Sequence, residues 1–112
     1  MPAALNNFRT TLADITTTPT IVYTPPLGYS TVVLLAQVSN TGNATIQVTA
    51  DIKRAGVYTS LVKGAKIPTS DASSLLTGRL ILQFGDSLEV TSTDDTSAQL
   101  VLSYLETLIT GQ

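Results

Sequence analysis

The chain has 112 residues, no Cys, no His and a formal net charge of −2. A domain of this size buries roughly two thirds of its unfolded surface, and the missing residue types exclude disulfides, thiolate or imidazole metal sites and Cys- or His-based nucleophilic catalysis. Charged residues are 12% of the sequence, about half of the usual ~25%, and a surface so poor in charge suits contact with other protein.

The six cations, Arg9, Lys53, Arg54, Lys63, Lys66 and Arg79, are scattered. They form no basic stripe along which a phosphate backbone could lie, so no direct nucleic-acid partner is expected. The opening MPAALNNFRTT lacks the charged and apolar regions of a signal peptide. The longest apolar run, VVLLA at 32–36, is far short of the ~20 residues that span a bilayer, and no membrane partner is expected.

Residues 1–7 read as an arm outside the folded body. Residues 8–18 (FRTTLADITTT) and 20–24 (TIVYT) read as strands split by Pro19, which pushes Thr18 to extended geometry. Pro25-Pro26-Leu27-Gly28 makes a stiff turn. In residues 31–39, Val32, Leu34, Ala36 and Val38 share one face, while Val33 and Leu35 on the other are apolar as well. A strand apolar on both faces near one end is covered there by a second layer or another subunit. SNTGN at 39–43 supplies hairpin-corner residues, with Gly42 at positive φ. Residues 44–53 alternate cleanly, with Ala44, Ile46, Val48, Ala50 and Ile52 on one face and polar residues on the other. That is a half-buried antiparallel strand. A corner at Gly56 leads into VYTSLVK at 57–63, and Pro68 marks an edge or exit. Residues 69–78 break the alternation, as a single helical turn capped by Ser70 or Asp71 or as a plain loop. LILQF and DSLEV then read as a hairpin cornered at Gly85 and Asp86, with Leu80, Leu82, Phe84, Leu88 and Val90 inward. After the tip TDDTS, residues 99–108 close the set. About eight strands at 8–12-residue spacing predict an all-β antiparallel β-sandwich, with a jelly roll among its arrangements. The division is 1–18 for the arm and first strand, and 19–112 for the sandwich.

Chemistry finds little purchase. Asp86 after a glycine is ordinary turn chemistry, and a calcium site would need 6–8 converging oxygens. Asp94 and Asp95 lack EF-hand spacing. There is no G-x-S-x-G elbow, no G-x-G-x-x-G and no P-loop. Asn43-Ala44-Thr45 matches a glycosylation pattern, accidental without a signal peptide. Tyr23 and Tyr29 bracket the proline turn and could stack on a sugar, although a core or interface role suits tyrosine better. No enzyme, metal or cofactor is indicated.

TIVYTPPLGYSTVVLLAQVSNTGNATIQV, then LLTGRLILQFGDSLEV, then LVLSYLE, resembles small virion structural proteins of tailed bacteriophages, those of cyanophages in particular. The recurring pieces are a V-Y-T-x-P-x-G turn, an N-T-G loop, an L-x-G-x-L-x-L strand and a G-D-x-L-x-V corner, over about residues 19–106. The resemblance implies a non-enzymatic subunit made in the bacterial host cytoplasm and carried in the virion. Its partners would be major capsid or tail proteins and copies of itself. A capsid decoration or cement trimer is the preferred form. A tail, neck, baseplate or fibre-attachment subunit is the alternative, and a receptor- or glycan-binding module is another. Expected contact residues are Leu5, Phe8 and Leu12 near the N-terminus, Tyr29 by the proline turn, and Val33, Leu35, Val101 and Leu105 on outward faces. Gly28, Gly42, Gly56, Gly85 and Asp86 are expected at structural turns.

Overall fold

Alternation at period two carries through into the architecture. A computed structural model of the chain describes residues 6–109, and among them there are nine strands and no helix. The strands are β1 (Asn6–Ile15), β2 (Thr20–Tyr23), β3 (Tyr29–Asn40), β4 (Ile46–Arg54), β5 (Val57–Ile67), β6 (Ala72–Ser74), β7 (Leu80–Leu82), β8 (Ser87–Ser92) and β9 (Ala98–Leu108).

They make two antiparallel sheets. One has the order β1-β9-β3-β6, with β7 also pairing β3; the other has the order β2-β8-β4-β5. Counting outward from the β4–β5 hairpin, β3 pairs β6 and β7, β2 pairs β8, and β1 pairs β9. A long ribbon folded at residues 55–56 and rolled into two sheets is a jelly roll. β6 and β7 act as one interrupted strand against β3, at Gln37–Ser39 and Thr31–Val33 respectively.

The core lies between the sheets. From the β4 side come Ile46, Val48 and Ala50, as the alternation predicts, joined by Leu88 and Val90 of β8. From the other sheet come Val33, Ala36, Val38, Leu82, Leu100 and Leu102. Ile15 and Ile67, both fully buried, help to close it.

Five expectations change. Asn6 and Asn7 belong to β1, which pairs β9 at all ten of its positions; residues 1–5, including Leu5, lie outside the described residues. The segment at 69–78 is neither a helical turn nor a plain loop, because β6 adds to β3 there and Leu75 N–H continues onto Ala36 O at 2.7 Å. The Gly85-Asp86 corner is no hairpin: it carries the chain from β7 in one sheet to β8 in the other, and Phe84 is 57% exposed. The expected corner at 39–43 is no hairpin either: Ser39 and Asn40 end β3, and residues 41–45 cross to β4 in the other sheet. Gly42 does not take positive φ; a Cβ there would run into the Ser97 side chain, so glycine serves close approach.

The fifth change concerns β3. Its ladder with β9 shifts between Val33 and Leu35, leaving Leu34 as an extra residue opposite Ser103. A bulge of this kind reverses the facing of everything on one side of it. Ala36 and Val38 point inward as expected. Val32 and Leu34 do not, and Val33 is fully buried in the core instead of facing out.

Candidate protein-protein interface

The outer face of the β1-β9-β3 sheet follows from register. Phe8 of β1 lies beside Leu105 of β9, Leu105 beside Val32 of β3, and Val32 beside Ile81 of β7. Two rows along, Leu12 lies beside Val101. Between these rows the bulge puts both Leu34 and Leu35 on the outside. Phe8 and Leu12 are 77% and 73% exposed, and Ile81 is 60% exposed. Eight apolar side chains on neighbouring strands form a patch on the order of 500 Å², a size at which a monomer's largest patch is often functional.

The other sheet differs. Its outer face carries Gln47, Thr49, Asp51 and Lys53 of β4 beside Ser87, Glu89 and Thr91 of β8, interrupted by Ile21 and Tyr58. The first face is thus mainly apolar, interrupted by Thr10 and Ser103 and bordered by Gln37, Gln99 and the exposed Asp14, while the second is mainly polar.

Of the residues expected at an interface, Phe8, Leu12, Leu35, Val101 and Leu105 fall on the apolar face. Val33 does not, because of the bulge. Tyr29 is half-buried at the end of β3, paired with Leu108, and shares the inward-facing set with Thr31. The sequence reading missed Ile81 as an outward residue and assigned Val32 and Leu34 to the interior. The L-I-L run contained the signal for Ile81: with Leu80 and Leu82 inward, it had to face out.

At one end of the face, a cleft of about 470 Å³ is lined by Val32, Leu34, Arg79, Ile81 and Leu105. Four of its five walls are aliphatic, and Arg79 is an exposed cation at its side.

The polar candidates resolve into structural roles. Asp86, 1% exposed, receives Arg54 Nε at 2.7 Å and Nη2 at 2.6 Å, and the Gln83 N–H at 2.8 Å. The ladder leads them together, since Lys53 of β4 pairs Ser87 of β8 and Arg54 and Asp86 are the next residues along. The guanidinium holds the Asp86 carboxyl below the usual carboxylate range; burial opposes the shift and the Gln83 N–H reinforces it. Asp95 accepts the Thr17 N–H and hydroxyl at 2.8 and 2.7 Å, tying the β1–β2 and β8–β9 connections together. Asp94 accepts the same two groups of Thr96. Among the described residues, no group of three or more His, Cys, Asp or Glu could hold a metal ion.

Tyr23 is not available to a sugar. It is 8% exposed, donates to Glu106 Oε2 at 2.6 Å, and shares a 2.7 Å hydrogen bond with Thr31 Oγ1. Its ring lies 4.3 Å from that of Tyr104. Burial, then the Glu106 carboxylate, push its phenol well above the ordinary value. Arg9 Nε reaches the same carboxylate at 2.9 Å. This network joins the two sheets from within, through β2 on one side and β1, β3 and β9 on the other.

No family model matches the chain, and no curated protein does. A solved structure described under the words "Bacillus endospore appendages form a novel family of disulfide-linked pili" is similar in fold, with a TM-score of 0.58 and 13% identity over 94% of this chain and 88% of that one. At that identity the likeness is one of β-sandwich architecture.

Proposed function

We propose that the chain is a non-enzymatic structural subunit of a phage virion, in its most concrete form a capsid decoration or cement protein acting as a homo-oligomer, a trimer, bound to neighbouring virion proteins. The observation that carries this reading is the sidedness of the sandwich: one outer sheet face is apolar across several strands and the other is polar. The jelly roll is a fold used by viral capsid domains and by lectins alike. Fold alone gives no function, so the weight rests on that face and on the ordered motifs of the sequence. Covering ~500 Å² of apolar surface contributes about 12 kcal/mol gross at ~25 cal/mol/Å². Association costs remove much of it, and many copies on one particle make a modest net affinity sufficient.

The test is copy number per particle together with the heat and osmotic resistance of particles assembled without the protein. Hundreds of copies and fragile particles are expected. Particles lacking it that are fully resistant would sink the cement reading.

A tail or fibre subunit is the second reading, favoured by the likeness to a chain described as forming pili. Linkage by disulfides does not transfer, since this sequence has no Cys. Negative-stain images of the isolated protein separate the two: filaments favour the tail reading, discrete particles the decoration reading.

A further inference from the structure

Knob and socket lie on the same face of one sheet. Phe8 stands out from the edge strand β1, 77% exposed, so it does not cover the cleft on its own chain. The cleft starts one strand away, at Leu105 beside Phe8, and extends over β3 to Ile81 of β7 at the opposite edge. β1 and β7 are about 14 Å apart across three strand spacings of ~4.8 Å. A protruding apolar ring and an aliphatic cleft of about 470 Å³ are therefore presented together but offset.

We infer that Phe8 of one copy seats in the cleft walled by Val32, Leu34, Ile81 and Leu105 of a second copy, with Arg79 against its ring. This rests on the reading of the chain as an assembly subunit and specifies its self-contact.

Three observations favour a second copy as occupant. The first is chemical fit. The cleft is aliphatic except for one cation, and an aromatic ring is the apolar group whose face attracts a guanidinium. Phe8 supplies that ring on the same exposed surface. The second is area. Four strands at ~4.8 Å spacing and ten residues at ~3.4 Å rise give a face of about 650 Å² in projection. That is near the ~800 Å² per partner of a standard interface. The third is charge. Phe8, Leu12, Val32, Leu34, Leu35, Ile81, Val101 and Leu105 are uncharged, and the charges that border them, Asp14 of β1 and Arg79 beside the cleft, are of opposite sign. An aromatic anchor in an apolar pocket is the usual form of a binding hot spot.

Sedimentation of the purified protein and two variants tests this. Wild type is expected to self-associate. Phe8→Ser and Ile81→Arg, both at exposed positions, are each expected to weaken association about 30-fold or more while melting normally. Mixing the two is the decisive step, because the first retains an intact cleft and the second an intact Phe8. Mixed dimers are expected where neither variant alone dimerises. Phe8→Leu, which keeps bulk but loses the ring, is expected to lie between wild type and Phe8→Ser, and serves if Phe8→Ser melts early. Wild type that stays monomeric at near-millimolar concentration overturns the inference, as does a mixture that forms no mixed dimer. If that monomer still binds and strengthens particles, the decoration reading stands without this contact.

Discussion

The Asp86 carboxylate is buried yet ionised, and its ionisation matters to the fold. Arg54 and the Gln83 N–H stabilise the charged form, so its pKa when folded is lower than the ~4 of an unfolded chain. The unfolded chain then takes up the proton more readily. The contribution of this group is fully present above about pH 4 and is lost as pH falls through the depressed folded value. Asp94 and Asp95, lowered by hydrogen bonds from Thr96 and Thr17, act in the same direction. Asp86→Asn is expected to be less stable than wild type at pH 7, with the gap closing below about pH 4. Urea midpoints from pH 7 to pH 2 check this; a gap that stays constant to pH 2 would show that the ion pair is not its origin. The turn role of Asp86 was legible from the adjacent glycine. Its partner was not, because Arg54 lies 32 residues away and meets it only through the β4–β8 ladder.

Individual elements show where periodicity suffices. β4 was readable from its strict alternation: Ile46, Val48 and Ala50 are buried and Ile52 half-buried as the pattern names, although the strand starts at Ile46 and Ala44 is exposed. β3 was readable as a strand but not in phase. Apolar residues on both of its faces leave no mark of the extra residue at Leu34, and that one residue decides whether Val32 or Val33 enters the core. The apolar face was thus partly legible: β1 and β9 gave the correct residues, and β3 gave Leu35 but offered Val33 where Val32 and Leu34 face out. The β4–β5 hairpin makes a second point. Arg54 pairs Val57, and the two residues between them, Ala55 and Gly56, have φ of 52° and 80°. Positive φ at both positions belongs to a type I′ turn, which favours Asn-Gly. Alanine bears a steric cost there. Ala55→Asn is expected to raise stability by about 0.5–1 kcal/mol, read as a higher urea midpoint with an unchanged slope. A lower midpoint would count against the assigned turn.

At the scale of the molecule, the sequence announced a sandwich but not its wiring. Turn residues between successive strands look the same whether the chain stays in a sheet or crosses between sheets. Both the Gly85-Asp86 corner and the 41–45 loop prove to be crossings. Strand order depends on pairings between distant segments, of which β1 with β9 is the most distant. β9 is also the strand that joins β1 to β3, so sheet and core both depend on it. A chain ended at Ser97 is expected to show no cooperative thermal transition, while one ended at Ile109 melts like the full chain; circular dichroism distinguishes them. Cooperative melting of the shorter chain would contradict the central role of β9.

The lateness of β9 has a consequence for synthesis. Domains built on non-local pairing fold slowly, and here β1 waits on the ribosome for a partner encoded about ninety residues later. The apolar face takes residues from β1, β9, β3 and β7, so it too comes into being only when β9 inserts. Under the proposed self-contact, nascent chains then cannot display a finished surface to one another, and completion of the fold precedes association.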